Sequence, residues 1–289
     1  MRGATLMSLA MALFALEDML VKRAATVLPV GEVLMLFGLG GTLAFAALAL
    51  RAGQSLWHPA VASRLMLTKA GFEITGRIGY TLGIALTPLS NASAILQATP
   101  LVVVAGAALI FRERVDRRRW LAIGIGFLGV LVILRPGLEG FVPAALWTVL
   151  GLLGFAGRDL STRAAPRVLS NFQLGIYGFA ALIPAGAIIL AFGEGARMPG
   201  QNMPALALTI SGAVVFGVAA YWALTAAMRV GEISVVTPFR YTRLLFALGL
   251  GIAVFHERPD GWTLLGAAII VASGVYTLTH GARRTGGAR

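Results

Sequence analysis

Residues 64–86 read RLMLTKAGFEITGRIGYTLGIAL, and no other stretch constrains the fold as much. It is long and apolar enough to be a helix crossing a bilayer, yet it carries Lys69, Glu73 and Arg77. At 3.6 residues per turn these three, with Tyr80, fall within roughly 80° of one another, on one narrow face. A charge at the centre of a spanning helix costs about 2.5–3.5 kcal/mol. Three such charges facing lipid would cost roughly 8–10 kcal/mol. The face must therefore look into protein or a water-filled hollow, and the rest of the chain must supply the wall.

The composition allows this. Of 289 residues, 58% are hydrophobic and only 12% are charged, and the mean hydropathy is +0.84. A soluble domain carries about 25% charge. At roughly 20 residues per span, about ten spanning helices fit. Ten apolar segments can be marked, at roughly 4–26, 31–50, 65–87, 91–111, 118–135, 143–163, 171–192, 204–227, 233–255 and 261–280. Pro, Gly or charge separates them, as in LPVGE, FRERVDRRR, LRPGLEGFVP and HERPDG. The first segment resembles a signal peptide. It lacks a small-residue cleavage site before Glu17 and Asp18, and it reads as a retained helix.

The chain also repeats itself. Phe111-Arg112-Glu113-Arg114-Val115-Asp116 matches Phe255-His256-Glu257-Arg258-Pro259-Asp260, 144 positions later. Phe14-Ala15 and Arg23-Ala24-Ala25 are echoed by Phe155-Ala156 and Arg163-Ala164-Ala165, 140–141 positions later. Two five-helix repeats follow, 1–138 and 139–289. Five is odd, so the second copy enters the membrane from the opposite side.

Charge gives the orientation. With the N-terminus inside, the inner loops and tails hold 14 of the 24 basic residues, the outer loops 5 and the spans 5. That bias puts both termini in the cytoplasm. The duplicated loop shows it best, because FRERVDRRR carries five arginines and HERPD one, as an inverted repeat predicts.

Polar groups gather in six of the ten spans. The candidates for a solute-lined cavity are Glu17, Asp18, Lys69, Glu73, Arg77, Tyr80, Gln97, Pro100, Arg158, Asp159, Tyr221, Trp222, Pro238, Arg240, Tyr241 and Arg243. The charged members are five cations and four anions, close to balance. They can form a structural salt-bridge network, line a solute path, or do both. Pro100 and Pro238 each remove a backbone hydrogen bond and so expose a carbonyl one turn earlier. The interiors of segments two, five, seven and ten are uncharged. Gly124, Gly126 and Gly129, and Gly266 and Gly274, suit close helix packing there.

Enzyme chemistry finds no support. Cysteine is absent, and His58, His256 and His280 lie near helix ends, with no H-E-x-x-H. Lys22 and Lys69 are the only lysines, and neither follows a phosphate-binding glycine loop. No cofactor, no metal and no nucleic-acid partner is expected. In a chain this apolar, the basic excess of 12 charges belongs to orientation.

The lines SNASAILQATPLVVVAGAALIFRERVDRRRWLAIGIGFLGVLVIL and ISVVTPFRYTRLLFALGLGIAVFHERPDGWTLLGAAIIVASGVYTL carry a family resemblance. Each has a proline in the fourth helix of its half and an E-R pair before a glycine-rich fifth helix. The pattern resembles the drug/metabolite transporter superfamily of the EamA type, and within it bacterial amino-acid and metabolite exporters, including the aromatic amino-acid type. The resemblance implies an all-α integral membrane protein of the bacterial inner membrane. It implies ten helices in two inverted repeats around a central cavity formed by helices one, three, four, six, eight and nine. It also implies export of small amphipathic metabolites by alternating access. Glu113 and Glu257 match the E-R pair and are expected to make structural contacts at helix ends. Pro100 precedes Glu113 by 13 positions and Pro238 precedes Glu257 by 19, so the two prolines are not equivalent.

The expected partners are a small-molecule solute and the lipid bilayer, with the chain a monomer or homodimer. An amino acid is the expected solute, because a zwitterion needs one cation and one anion in an apolar setting. A nucleotide-sugar or drug carrier of the same fold, and a non-transporting scaffold subunit, are the alternatives.

Overall fold

A computed structural model describes residues 2–112, 115–138, 140–164, 169–193, 203–230 and 237–285. Among the described residues twelve α-helices form ten spans, and no strand occurs. The first three spans are α1 (Arg2–Ala24), α2 (Val30–Arg51) and α3 (Arg64–Leu86). The fourth is broken into α4 (Leu89–Leu96) and α5 (Thr99–Ile110), and α6 (Arg117–Leu134) is the fifth. In the second half, α7 (Ala145–Ala164) is followed by a span broken into α8 (Asn171–Ala180) and α9 (Leu182–Phe192). The chain ends with α10 (Met203–Val230), a 3-10 turn (Thr237–Tyr241) leading into α11 (Thr242–Phe255), and α12 (Gly261–Thr285).

Local chemistry sets these boundaries. Ser63 accepts a hydrogen bond from the Met66 N–H at the start of α3, and Asp116 accepts one from Arg119 at the start of α6. Ser170 and Gln173 form a reciprocal capping box on α8. The breaks fall at prolines. Pro100 is the second residue of α5, and its missing N–H would have reached the Leu96 carbonyl. Pro184 is the third residue of α9, and its missing N–H would have reached Ala180. The two copies of the repeated loop share an uncommon backbone: Arg112 and His256 each follow their Phe with φ 54, in the left-handed region.

Five spans are long and apolar enough to cross a bilayer by those criteria alone: Gly3–Ala24, Val30–Arg51, Leu89–Ile110, Asn171–Phe192 and Met203–Ala227. The charges of α3 exclude it from that set, as its sequence requires. Apolar side chains both fill the core, as Phe37, Phe45, Leu101 and Ile270 do, and cover the outside, while the charges are held within. Leu109, Leu121, Phe192, Leu208 and Leu245 are exposed, whereas Glu17, Asp18, Lys69 and Glu73 are buried. In lipid this is the favourable arrangement, because the bilayer solvates the apolar groups.

Packing joins the two halves position by position. The first helix of each half lies on the third helix of the other, α1 on α10 and α7 on α3. The second span packs on the seventh, α4 on α11, and α6 on α12. Glycine allows the tightest of these approaches. A Cβ on Gly79 would lie 2.4 Å from the Gly151 nitrogen, and one on Gly154 would lie 2.3 Å from the Gly76 nitrogen. Gly129 and Gly266 meet in the same way between α6 and α12. Gly124, expected to pack, faces open space: it lies on the outward side of α6, between exposed Leu121 and Leu128.

Candidate functional site

The charged face of α3 meets α1, α7 and α11. Arg77 Nη1 donates to Glu17 Oε1 at 3.2 Å, and Arg77 Nε lies 3.7 Å from Glu73 Oε1. Glu73 is also 3.4 Å from Arg158 Nη1 and 4.0 Å from Lys69 Nζ. Arg158 donates to Asp159 Oδ1 through Nε (2.9 Å) and Nη2 (2.8 Å). Arg240 Nη2 stands 3.7 Å from the other oxygen of Asp159. Asp18 accepts from the Tyr80 hydroxyl (2.9 Å) and from Arg243 Nη2 (2.6 Å) and Nε (3.1 Å). The structure thus brings together all nine charged candidates. Pairing of this kind is what makes the charges tolerable where Glu17, Asp18, Lys69 and Glu73 are buried.

The aromatic candidates divide. Tyr80 is in the network, and Tyr221 lies beside Glu73 and Arg158 with its ring 5.4 Å from Phe45. Tyr241 is buried near Arg240 but its hydroxyl makes no hydrogen bond among the described residues, and a Cβ on Gly274 would come within 1.7 Å of it. It belongs to an uncharged groove of about 340 Å³ lined by Phe239, Leu244, Val271 and Val275. Trp222 does not reach the network. It is 56% exposed and shares an outward stripe of α10 with Leu208 and Val215, one position round the helix from Tyr221.

The prolines act through the backbone. The Leu96 carbonyl that Pro100 leaves without its helical partner accepts the Thr99 hydroxyl at 2.6 Å, so it is not offered to a cavity as expected. Gln97, in the break itself, donates to the Arg240 carbonyl at 3.1 Å. The interruptions of the fourth and ninth spans therefore touch. Pro238 lies in the 3-10 turn, and its side chain is outside the described residues, as is Glu113.

Three groups that matter were not among the sequence candidates. Phe155 has the guanidinium of Arg158 4.7 Å from its ring centre and that of Arg77 at 5.7 Å, and Phe14 holds Arg243 at 5.1 Å. Both stood in the repeat echo, which was the available signal. Glu257, expected as a structural helix-end contact, does more than cap its own helix. Its carboxylate accepts the Leu89 N–H (2.5 Å), the Ser90 N–H (3.0 Å) and the Ser90 hydroxyl (2.7 Å), holding the start of α4 from the other half. Lys22 stands 3.7 Å away and donates to the Ile84 and Thr87 carbonyls. Arg135 pairs with Asp260 beside it, and Thr263 donates to Asn91 at 3.1 Å. These contacts tie the ends of α1, α3, α4, α6 and α12 together. Within the ion network the side-chain exposure runs from 2% for Glu17 to 23% for Asp159 and 30% for Arg240. Among the described residues no group of three or more His, Asp or Glu side chains is placed to hold a metal.

Known proteins resemble the chain throughout. The profile of the EamA-like transporter family matches residues 1–135 and 142–279. A riboflavin transporter of Vibrio cholerae is 30% identical over 226 residues, 78% of this chain and 72% of that one. An S-adenosylmethionine uptake transporter of Rickettsia prowazekii is 24% identical over 70% of this chain and 67% of its own length. The pseudopaline exporter CntI of Pseudomonas aeruginosa is 27% identical over 94% of both chains. One solved crystal structure superposes with a TM-score of 0.61 at 18% identity, covering 94% of this chain and 98% of that one, which establishes a shared fold.

Proposed function

The chain belongs to the EamA-like transporter family, and from that premise we propose that it exports amino acids or related small zwitterionic metabolites across the bacterial inner membrane. It is a multi-pass membrane transporter, and its partner is a small-molecule solute. The orientation rests on the arginine-rich loops: both termini lie in the cytoplasm, and the two five-helix halves, 1–138 and 139–289, are inverted relative to each other. The end closed by Lys22 and Glu257 is then external, and the exposed end of the ion network faces the cytoplasm.

The observation that carries the reading is the pair at that open end. Asp159 and Arg240 stand 3.7 Å apart, beyond ordinary hydrogen-bond length, and they are the most exposed partners in the network. A solute carboxylate can take Arg240, while Glu73 or Asp159 receives its ammonium. Phe155 and Tyr221 offer aromatic surface beside these ions. Opposite charges held a short distance apart against apolar walls suit a zwitterion better than a cation or an anion alone. Alternating access then requires the Lys22–Glu257 closure to open when the cytoplasmic end shuts.

The test is counterflow of labelled amino acids in liposomes containing the purified chain, without ATP. Exchange by the native protein, lost in Arg240→Ala and Asp159→Asn with folding retained, supports the reading. Exchange of riboflavin but of no amino acid would move the solute class toward that of the Vibrio relative. Absence of any exchange would point to a scaffold subunit.

A further inference from the structure

Four carboxylates lie in the membrane interior, and they are not equally provided for. Asp18 accepts from Tyr80 and twice from Arg243. Glu73 has Lys69, Arg77 and Arg158 around it. Asp159 accepts two hydrogen bonds from Arg158 and faces Arg240. Glu17 is the most deeply buried of the four, and it has one donor, Arg77, on Oε1. Its Oε2 accepts no hydrogen bond among the described residues. That oxygen faces Gly217 of α10, where a Cβ would lie 3.2 Å from it and 2.9 Å from the Phe37 ring. An ionised oxygen without a donor in so dry a place costs far more than a neutral carboxyl there.

We propose that Glu17 is a proton-binding site of this carrier, and that its protonation decides whether Glu73 is available to a solute ammonium. The groups that face it are few. Asp18 is its neighbour on α1, α3 supplies Arg77 with Glu73 behind it, and α11 supplies Arg243, whereas Arg240 of the 3-10 turn packed on α1 stands against Asp159. On α2 and α10 its neighbours include Phe37 and Gly217, neither of them charged, and on α4 the Ser90 hydroxyl is taken by Glu257.

The link is Arg77, shared between Glu17 (3.2 Å) and Glu73 (3.7 Å). While Glu17 is ionised, it holds Arg77 and leaves Glu73 less fully neutralised, free to take an ammonium. When a proton adds to Oε2, Glu17 becomes neutral and Arg77 turns to Glu73 alone, occupying the charge an ammonium needs. Proton and ammonium therefore disfavour each other, and by linkage each weakens the other's binding by the same factor. Mutual exclusion of this kind lets an inward proton drive an outward solute. Glu17 is also placed for it, about 7.5 Å along α1 from the Lys22 closure, so that opening that end brings external water near the carboxyl.

The coupling to a solute rests on the proposed amino-acid reading, but the proton site can be tested without any solute. Infrared difference spectra of the purified protein in nanodiscs, recorded between acid and alkaline buffer, should show a protonated carboxyl stretch that disappears as pH rises. Glu17→Gln should abolish that band, and Glu73→Gln should keep it. If Glu17→Gln does not fold, Gly217→Ala replaces it and should shift the band. No titrating band in the native protein, a band retained in Glu17→Gln, a band unmoved in Gly217→Ala, or loss of the band in Glu73→Gln would each overturn the proposal. In liposomes, an inward proton gradient should accelerate efflux of a labelled amino acid, and Glu17→Gln should remove that acceleration. A band that behaves as stated in a protein that moves no amino acid would leave the proton site standing and remove only the solute class.

Discussion

Asp18 in the first half and Asp159 in the second stand 141 positions apart, and so do Phe14 and Phe155, and Tyr80 and Tyr221. Each aspartate faces an arginine from the ninth span, Asp18 taking Arg243 and Asp159 taking Arg240. Each phenylalanine lies against a guanidinium. The matched positions then diverge in charge. Glu17 in α1 corresponds to Arg158 in α7. Lys69, Glu73 and Arg77 in α3 correspond to Ile210, Val214 and Val218 in α10. Repetition supplies the frame, and departure from it supplies the chemistry. Asp18 is buried and its Oδ2 accepts three hydrogen bonds, whereas Asp159 is partly exposed and loosely paired with Arg240.

Removing each arginine in turn separates the two copies most sharply. Arg243→Ala leaves Asp18 buried without its cation and should destabilise the protein by about 3–5 kcal/mol. Arg240→Ala should cost no more than about 1 kcal/mol, because its pair is partly solvated, yet it should abolish transport. Thermal unfolding in detergent, set beside counterflow, gives both numbers, and equal destabilisation would break the contrast.

The helix contacts offer the next test. Gly79 in α3 corresponds to Ala220 in α10, so the two interfaces tolerate different side chains. Gly79→Ala forces a methyl against the Gly151 backbone and should cost roughly 1–3 kcal/mol. Ala220→Gly should cost about 1 kcal/mol or less, through helix propensity. Glu257→Gln weakens the hold on α4 and should cost about 1 kcal/mol, with the Lys22–Glu257 end reacting faster with a thiol reagent at a cysteine placed at position 91. Trp222→Leu should stay within about 0.5 kcal/mol and leave transport unchanged, because the side chain faces outward.

The smallest effect concerns acid. Partial burial would raise the Asp260 carboxyl, but hydrogen bonds from Thr263 and the Arg135 guanidinium outweigh it and hold the group below its ordinary value of 3.8. Its contribution is therefore present above that value and lost as pH falls through the lower folded one. Asp260→Asn should flatten a slight loss of stability in strongly acidic buffer and change nothing near neutrality.

Hydropathy and helical period determined the ten spans, because a bilayer admits only backbones that satisfy their own hydrogen bonds. The shared face of Lys69, Glu73 and Arg77 followed from 100° per residue, and the price of charge in lipid turned it inward. Neither argument reaches across space. Which arginine answers which aspartate, that Glu257 holds a helix of the other half, that Trp222 turns outward beside inward Tyr221, and that Thr99 satisfies the carbonyl Pro100 leaves behind were settled only in three dimensions. Those partners lie up to 225 positions apart in the chain, and helix rotation within the bundle, which sets them, depends on side chains from several helices at once.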